Sequence, residues 1–116
     1  MKVIFYHNVP FKLRRLLPGH SIQIANEMGW SSLANGVLLN ASERAGFQVM
    51  ITCDQGIFYQ QNMKGRGLSL VVLTSNYVPS FVEAAGEILA AVDAAHPGSF
   101  QIVSLAPRFI KKPRPS

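Results

Sequence analysis

Apolar residues along the chain fall into two patterns, short continuous runs and positions three or four residues apart. The continuous runs have the length of strands that are covered on both faces of a sheet. Runs of this kind predict strands at residues 2–6 and 68–74, and shorter apolar-rich segments between turn residues predict strands at 21–25, 47–52 and 100–105. The spaced positions predict helices at residues 10–17, 35–45, 57–63 and 81–95. This alternation indicates an α/β fold with a mainly parallel sheet and helices on both faces.

Capping patterns set the expected ends of two helices. Gly46 stands just after the second helix, where a left-handed residue ends many helices. Ser80 and Glu83 have the spacing of a capping box, in which each side chain bonds the other residue's backbone N–H. The box predicts one long helix beginning near Phe81.

Polar segments at 6–8, 52–54 and 74–76 follow the first, third and fourth predicted strands. In parallel sheets the ligand site lies beyond the carboxyl ends of the strands, so we expect these segments to meet. Asp54 is the only acid they contain, and Asn8 and Asn76 offer neutral oxygens. Metal-assisted phosphodiester cleavage needs two or more carboxylates on Mg²⁺. Asp54 is therefore a candidate metal ligand, and a turn or helix-cap role explains it equally well.

The composition, with 116 residues of which 48% are hydrophobic and 15% charged, is that of one globular domain. The net charge of +5 suggests a nucleic-acid partner. Four of the eleven basic residues lie in the last nine positions, however, so residues 1–107 carry a net charge of only +1. We therefore expect a folded domain at 1–106 and a basic, proline-rich, flexible tail at 107–116.

The chain shows no export signal and no apolar run near the roughly 20 residues of a membrane span. Cys53 is the only cysteine, so no intrachain disulfide can form, and a cytoplasmic location is expected. We interpret Cys53 as a buried strand thiol, since no motif places a base beside it.

Two groups of basic residues are candidates for RNA phosphate contacts. Lys12, Arg14 and Arg15 lie on the first predicted helix, and Lys64 and Arg66 precede the fourth strand. We expect the two groups to flank one groove that follows the phosphate backbone with little base specificity. Scattered solubilising charge explains them equally well.

Six segments share an order and spacing that is specific when they are taken together: FYHNVP (5–10), LLPGH (16–20), GW (29–30), NGVLL (35–39), ITCD (51–54) and YQQN (59–62). They resemble the successive motifs of the small bacterial PIN-like proteins, relatives of VapC-type toxins and of the C-terminal ribonuclease domain of the mut-seven proteins. The resemblance covers about residues 1–104. It implies a PIN-like three-layer α/β/α sandwich, endoribonuclease activity with Mg²⁺ or Mn²⁺, and a toxin role beside an antitoxin protein.

Two positions depart from the family pattern. Tyr6 stands where the family usually has an aspartate, and Val37 stands where it usually has an acid. The resemblance then leaves Asp54 as the metal ligand, with Asn8 beside it as the second catalytic candidate. We therefore expect weak or absent nuclease activity.

Three hypotheses follow. The first is a metal-dependent ribonuclease, or a toxin derived from one, that acts on RNA. The second is a catalytically silent PIN-like module that binds RNA or a protein. The third is a structural homodimer that pairs through an exposed apolar helix face.

Overall fold

The computed structural model describes residues 1–6, 9–54 and 63–105. Its strands are β1 (Lys2–Tyr6), β2 (Ser21–Ile24), β3 (Val49–Thr52), β4 (Ser69–Leu73) and β5 (Phe100–Val103). Its helices are a 3-10 helix (Phe11–Leu16), α1 (Asn35–Arg44), α2 (Val78–Glu83) and α3 (Ala85–Asp93). Asn8, nearly all of the helix predicted at 57–63, and the tail predicted at 107–116 lie outside the described residues.

The five strands form one sheet in the order β2-β1-β3-β4-β5, and every neighbouring pair is parallel. The predicted α/β fold with a parallel sheet is therefore confirmed. From β1 the chain crosses to β2 on one side, and it then returns past β1 to β3 on the other. The gap between the carboxyl ends of β1 and β3 is thus the switch point, where sheets of this kind bind ligands.

Two apolar cores lie on opposite faces of the sheet and give the molecule three layers. Val3 and Phe5 point into the first core, which the 3-10 helix, α2 and α3 cover. Ile4 and Tyr6 point into the second core, which α1 covers. All residues of β3 and β4 are buried, which explains why these strands show as continuous apolar runs rather than as an alternating pattern.

The crossover from β4 to β5 has the opposite hand to those that join β1 to β2 and β2 to β3. The steps from β2 to β3 and from β4 to β5 run in the same direction across the sheet. The first step passes over the face covered by α1, whereas the second passes over the other face through α2 and α3. Such reversals are rare in parallel sheets. The reversal places α2 beside the 3-10 helix, with which it makes contact.

The prediction of one long helix that begins at a capping box is wrong. α2 begins at Val78 with Tyr77 as its N-cap. Pro79 lies in the first turn of the helix, where the fixed φ of proline is favourable. Ser80 consequently lies inside the helix and is buried rather than serving as a cap. The chain then departs from helical geometry at Ala84, with φ −99° and ψ 13°, and α3 starts anew.

The predicted end of α1 is confirmed. Gly46 follows the C-cap residue Ala45 with a φ of +85°, and its N–H donates to the carbonyl of Glu43. The left-handed conformation at this position costs less free energy for glycine than for other residues, because glycine has no Cβ. In the part of the chain that the structure describes, no helix is long and apolar enough to span a bilayer.

Candidate functional site

The carboxyl ends of β1 and β3 bring together the first two predicted polar segments. Tyr6 and Thr52 end their strands as register partners, and Asp54 follows two residues later. The buried Thr52 hydroxyl accepts a hydrogen bond of 3.0 Å from the N–H of Asp54. This bond turns the backbone out of the strand and fixes Asp54 at the switch point. The structure thus places Asp54 where the sequence predicts it.

Tyr6 lies beside Asp54. Its ring belongs to the second core, and its hydroxyl lies at the carboxyl ends of the strands. The side chain is only 5% exposed, and the hydroxyl is 3.5 Å from Oδ1 of Asn35, at the long end of hydrogen-bond range. Burial raises the pKa of Tyr6, and the Asp54 carboxylate raises it further. The phenol is therefore neutral at physiological pH. We call Tyr6, Asn35 and Asp54 the strand-end cluster.

Asn35 is a site residue that the sequence reasoning missed. The family pattern directs attention to Val37, but the side chain of Val37 is 54% exposed. Asn35 and Val37 are two residues apart, or about 200° of rotation around a helix. Asn35 instead shares a face with the buried Leu38 and Leu39, three and four residues later. The burial pattern of α1, rather than the motif, is the signal that could have identified Asn35.

The strand-end cluster does not fit Mg²⁺ or Mn²⁺ well. It offers one carboxylate, one amide oxygen and one neutral phenol, whereas these cations favour carboxylates together with bound waters. No group of three or more His, Cys, Asp or Glu side chains that could hold a metal occurs among the described residues. Asn76 is exposed beyond β4, and Asn8 lies outside the described residues. The metal role of Asp54 therefore stays a prediction.

Structural hydrogen bonds hold the neighbouring strand ends. The thiol of Cys53 donates to the carbonyl of Ser75 over 3.4 Å, and burial raises its pKa to about 11. The hydroxyl of Thr74 donates to the carbonyl of Leu105 over 3.3 Å and accepts from the N–H of the same residue over 2.8 Å. A protonated, partly buried thiol is a poor nucleophile. Cys53 is therefore a structural residue at this edge.

A cavity of about 210 Å³ opens next to Tyr6, between the carboxyl ends of β1 and β2. Its polar lining side chains are Tyr6, Asn26 and Ser31, and none of its lining residues is an acid. The cavity therefore adds no carboxylate to the strand-end cluster.

The two basic groups lie on opposite faces of the sheet. Lys12, Arg14 and Arg15 are exposed on the 3-10 helix, whose buried Leu13 belongs to the first core. The prediction that both groups flank one groove is therefore wrong.

Arg66 lies on the other face, against α1. It donates to Oδ1 of Asn40 over 2.8 Å and lies 3.7 Å from Oε1 of Glu43. Lys64 is exposed nearby, close to Gly98 and the amino end of the sheet. Arg66 therefore serves a structural contact, far along the sheet from Asp54.

No protein-family model, curated protein or solved structure matches this chain. Its functional assignment consequently depends on the chemistry of its own residues, above all those of the strand-end cluster.

Proposed function

We propose that this chain is a catalytically silent PIN-like domain that acts as a binding module. One observation carries the proposal: the neutral phenol of Tyr6 lies beside Asp54, the single carboxylate of the strand-end cluster. Metal-assisted hydrolysis needs a cation that activates water and stabilises the departing oxygen. A cluster with one carboxylate holds such a cation weakly, and a neutral phenol does not accept the proton of the attacking water. The domain is then expected to bind its ligand without cutting it.

The first experiment measures Mn²⁺ binding by calorimetry and cleavage of single-stranded RNA by the unmodified chain. We expect neither binding at micromolar Mn²⁺ nor cleavage above the buffer rate. The proposal is overturned if the chain binds Mn²⁺ tightly and cleaves RNA, and if Asp54→Asn abolishes both.

A gain-of-binding variant tests the geometry of the same site. Asn35→Asp places a second carboxylate where the Asn35 side chain now meets the Tyr6 hydroxyl, which itself interacts electrostatically with Asp54. An acid in the first turn of α1 also suits the helix dipole. We expect it to create measurable Mn²⁺ binding that Asp54→Asn removes again.

Val37→Asp is the matched control, since it adds the same charge two residues away on the exposed side of α1. It should leave Mn²⁺ binding unchanged. Equal binding by the two variants would show that Asn35 does not face the site.

A second candidate function is a weak Mg²⁺- or Mn²⁺-dependent endoribonuclease, such as a bacterial cytoplasmic toxin held in check by an antitoxin. The position of Asp54 favours it, because the carboxylate lies at the switch point where α/β enzymes bind ligands. Substrate phosphates would have to supply the oxygens that the protein lacks. The RNA cleavage assay with Asp54→Asn separates this candidate from the silent module.

A further inference from the structure

An apolar groove with a basic rim lies on the first-core face, between the 3-10 helix and α2. Leu13 and Phe81 form its buried floor, and Val78 and Val82 stand at its wall. Lys12 and Arg15 line the side formed by the 3-10 helix. Its volume is about 200 Å³. We call this feature the cationic groove.

The 3-10 geometry explains how the rim forms. With three residues per turn, side chains at i and i+3 stack in one column. The sequence FKLRRL therefore makes three columns: Phe11 with Arg14, Lys12 with Arg15, and Leu13 with Leu16. The first column is visible directly, because the Arg14 guanidinium lies 3.7 Å from the centre of the Phe11 ring. The second column sets two cations side by side along the groove.

The apolar part of the groove is open enough to receive another molecule. Val82 is 61% exposed and Val78 is exposed as well, although both belong to a helix whose Phe81 is fully buried. A cavity of about 150 Å³ lined by aliphatic and aromatic side chains can hold a benzene ring. The groove therefore has room for one or two large apolar side chains.

Charge argues against two occupants of the groove that this chain itself would supply, namely its tail segment and a second copy. Residues 107–116 carry four basic residues and no acid, so Lys12 and Arg15 repel them. A symmetric dimer through the groove would pair this lining with an identical one, which adds two more cations and no acid to the interface. Neither the tail nor a second copy complements the rim.

RNA also fits poorly. The groove lining contains aliphatic side chains and the buried Phe81, and it has no exposed ring on which a base can stack. The exposed ring of Phe11 is already covered by Arg14. The cations could meet phosphates, but the apolar half of the surface would then stay uncovered.

We infer that the cationic groove binds an acidic amphipathic helix of a partner protein. This inference names the ligand of the proposed binding module and rests on that function. Lys12 and Arg15 stand about 6 Å apart along the 3-10 axis, at 2.0 Å per residue. Acids at i and i+4 of an α-helix are also about 6 Å apart, at 1.5 Å per residue. One face of the partner helix can thus meet both cations while its apolar residues enter the groove.

The test is a selection of random displayed peptides of about 16 residues, roughly four helical turns, against the full chain. Selected peptides should combine large apolar residues with acids four positions apart. Fluorescence anisotropy then measures their binding to variants. Val82→Asp should weaken binding at least about tenfold, because it places a carboxylate at the apolar wall. Lys12→Glu with Arg15→Glu should lower the affinity for acidic peptides and raise the affinity for versions of them in which lysine replaces the acids.

Ile102→Asp is the matched control, since Ile102 is 56% exposed on the edge strand β5 and does not line the groove. It should bind the peptides as the unmodified chain does. The inference is overturned if no peptide is enriched, if the enriched peptides are basic or neutral, or if Val82→Asp and Ile102→Asp bind alike. It is also overturned if a uridine oligonucleotide binds and loses affinity with Val82→Asp. RNA cleavage by the unmodified chain would refute the silent module alone and would leave these peptide results standing.

Discussion

Burial controls protonation at the carboxyl edge of the sheet, at Tyr6 and Cys53 alike. In both side chains burial disfavours the charged form, and this is the main reason why their pKa values are raised. Two weak acids that remain neutral then flank Asp54. At neutral pH neither one supplies a general base or an activated nucleophile, which agrees with a site that binds rather than cleaves.

We predict that Cys53 reacts with iodoacetamide about a hundredfold more slowly at pH 8 than an ordinary cysteine, because its pKa is raised from 9.0 to about 11 and only the thiolate attacks. The rate should climb until about pH 11. Stability should follow the same group: its contribution is fully present below pH 9 and is lost as pH rises through 11, because between these values the unfolded thiol is mostly ionised and the folded thiol is mostly protonated. Mass spectrometry measures the labelling, and the protein in denaturant is the control. Rapid labelling of the folded chain at pH 8 would contradict this prediction.

The sequence predicts elements best where one physical signal dominates. The sequence predicts all five strands: β3, β4 and most of β1 from buried apolar runs, and the partly exposed β2 and β5 from apolar-rich segments between turn residues. The α2–α3 region was misread, because Pro79 favours an earlier start and moves Ser80 from the cap into the helix. Asp54 was located by the general rule for strand ends, whereas Asn35 required the burial pattern of α1. The hand of the last crossover has no local signal, since it depends on which face α3 covers.

At the level of the helix we predict that Gly86→Ala raises the free energy of unfolding by about 0.5–1 kcal/mol. Gly86 is the second residue of α3, it is exposed, and a Cβ built on it meets no atom within 4 Å. Alanine therefore gains helix propensity without a clash.

Gly98→Ala is the opposite case. Gly98 has a φ of +78°, and an added Cβ would lie 3.1 Å from the carbonyl oxygen of Met63. The left-handed conformation alone costs about 1–2 kcal/mol for a residue with a Cβ. Urea unfolding should therefore move the two midpoints in opposite directions, and a shared direction would contradict the local geometry.

At the scale of the whole molecule, the basic residues of the tail segment are distinguished from those of the cationic groove by what surrounds them in sequence and structure. The tail segment 107–116 holds four basic residues, and without it the chain falls from a net charge of +5 to +1. The cations of the cationic groove are bordered by apolar residues instead. Phosphate binding depends mainly on the number of cations, whereas an amphipathic helix needs cations and an apolar surface together.

Two variants with the same net charge separate the contributions of these two sets of basic residues. Removing residues 107–116 and substituting Lys12→Glu with Arg15→Glu each lower the net charge by four. If the tail carries nonspecific RNA binding, its removal should reduce the slope of log K against log salt for a uridine oligonucleotide by up to about 3, at 0.7 per lost phosphate contact. The groove variant should keep most of that slope, because it retains the tail cations. It should no longer bind the acidic peptides, because the charge of the groove rim is reversed. Equal loss of RNA affinity in both variants would mean that only total charge matters, and the two sets of basic residues would then not have distinct roles.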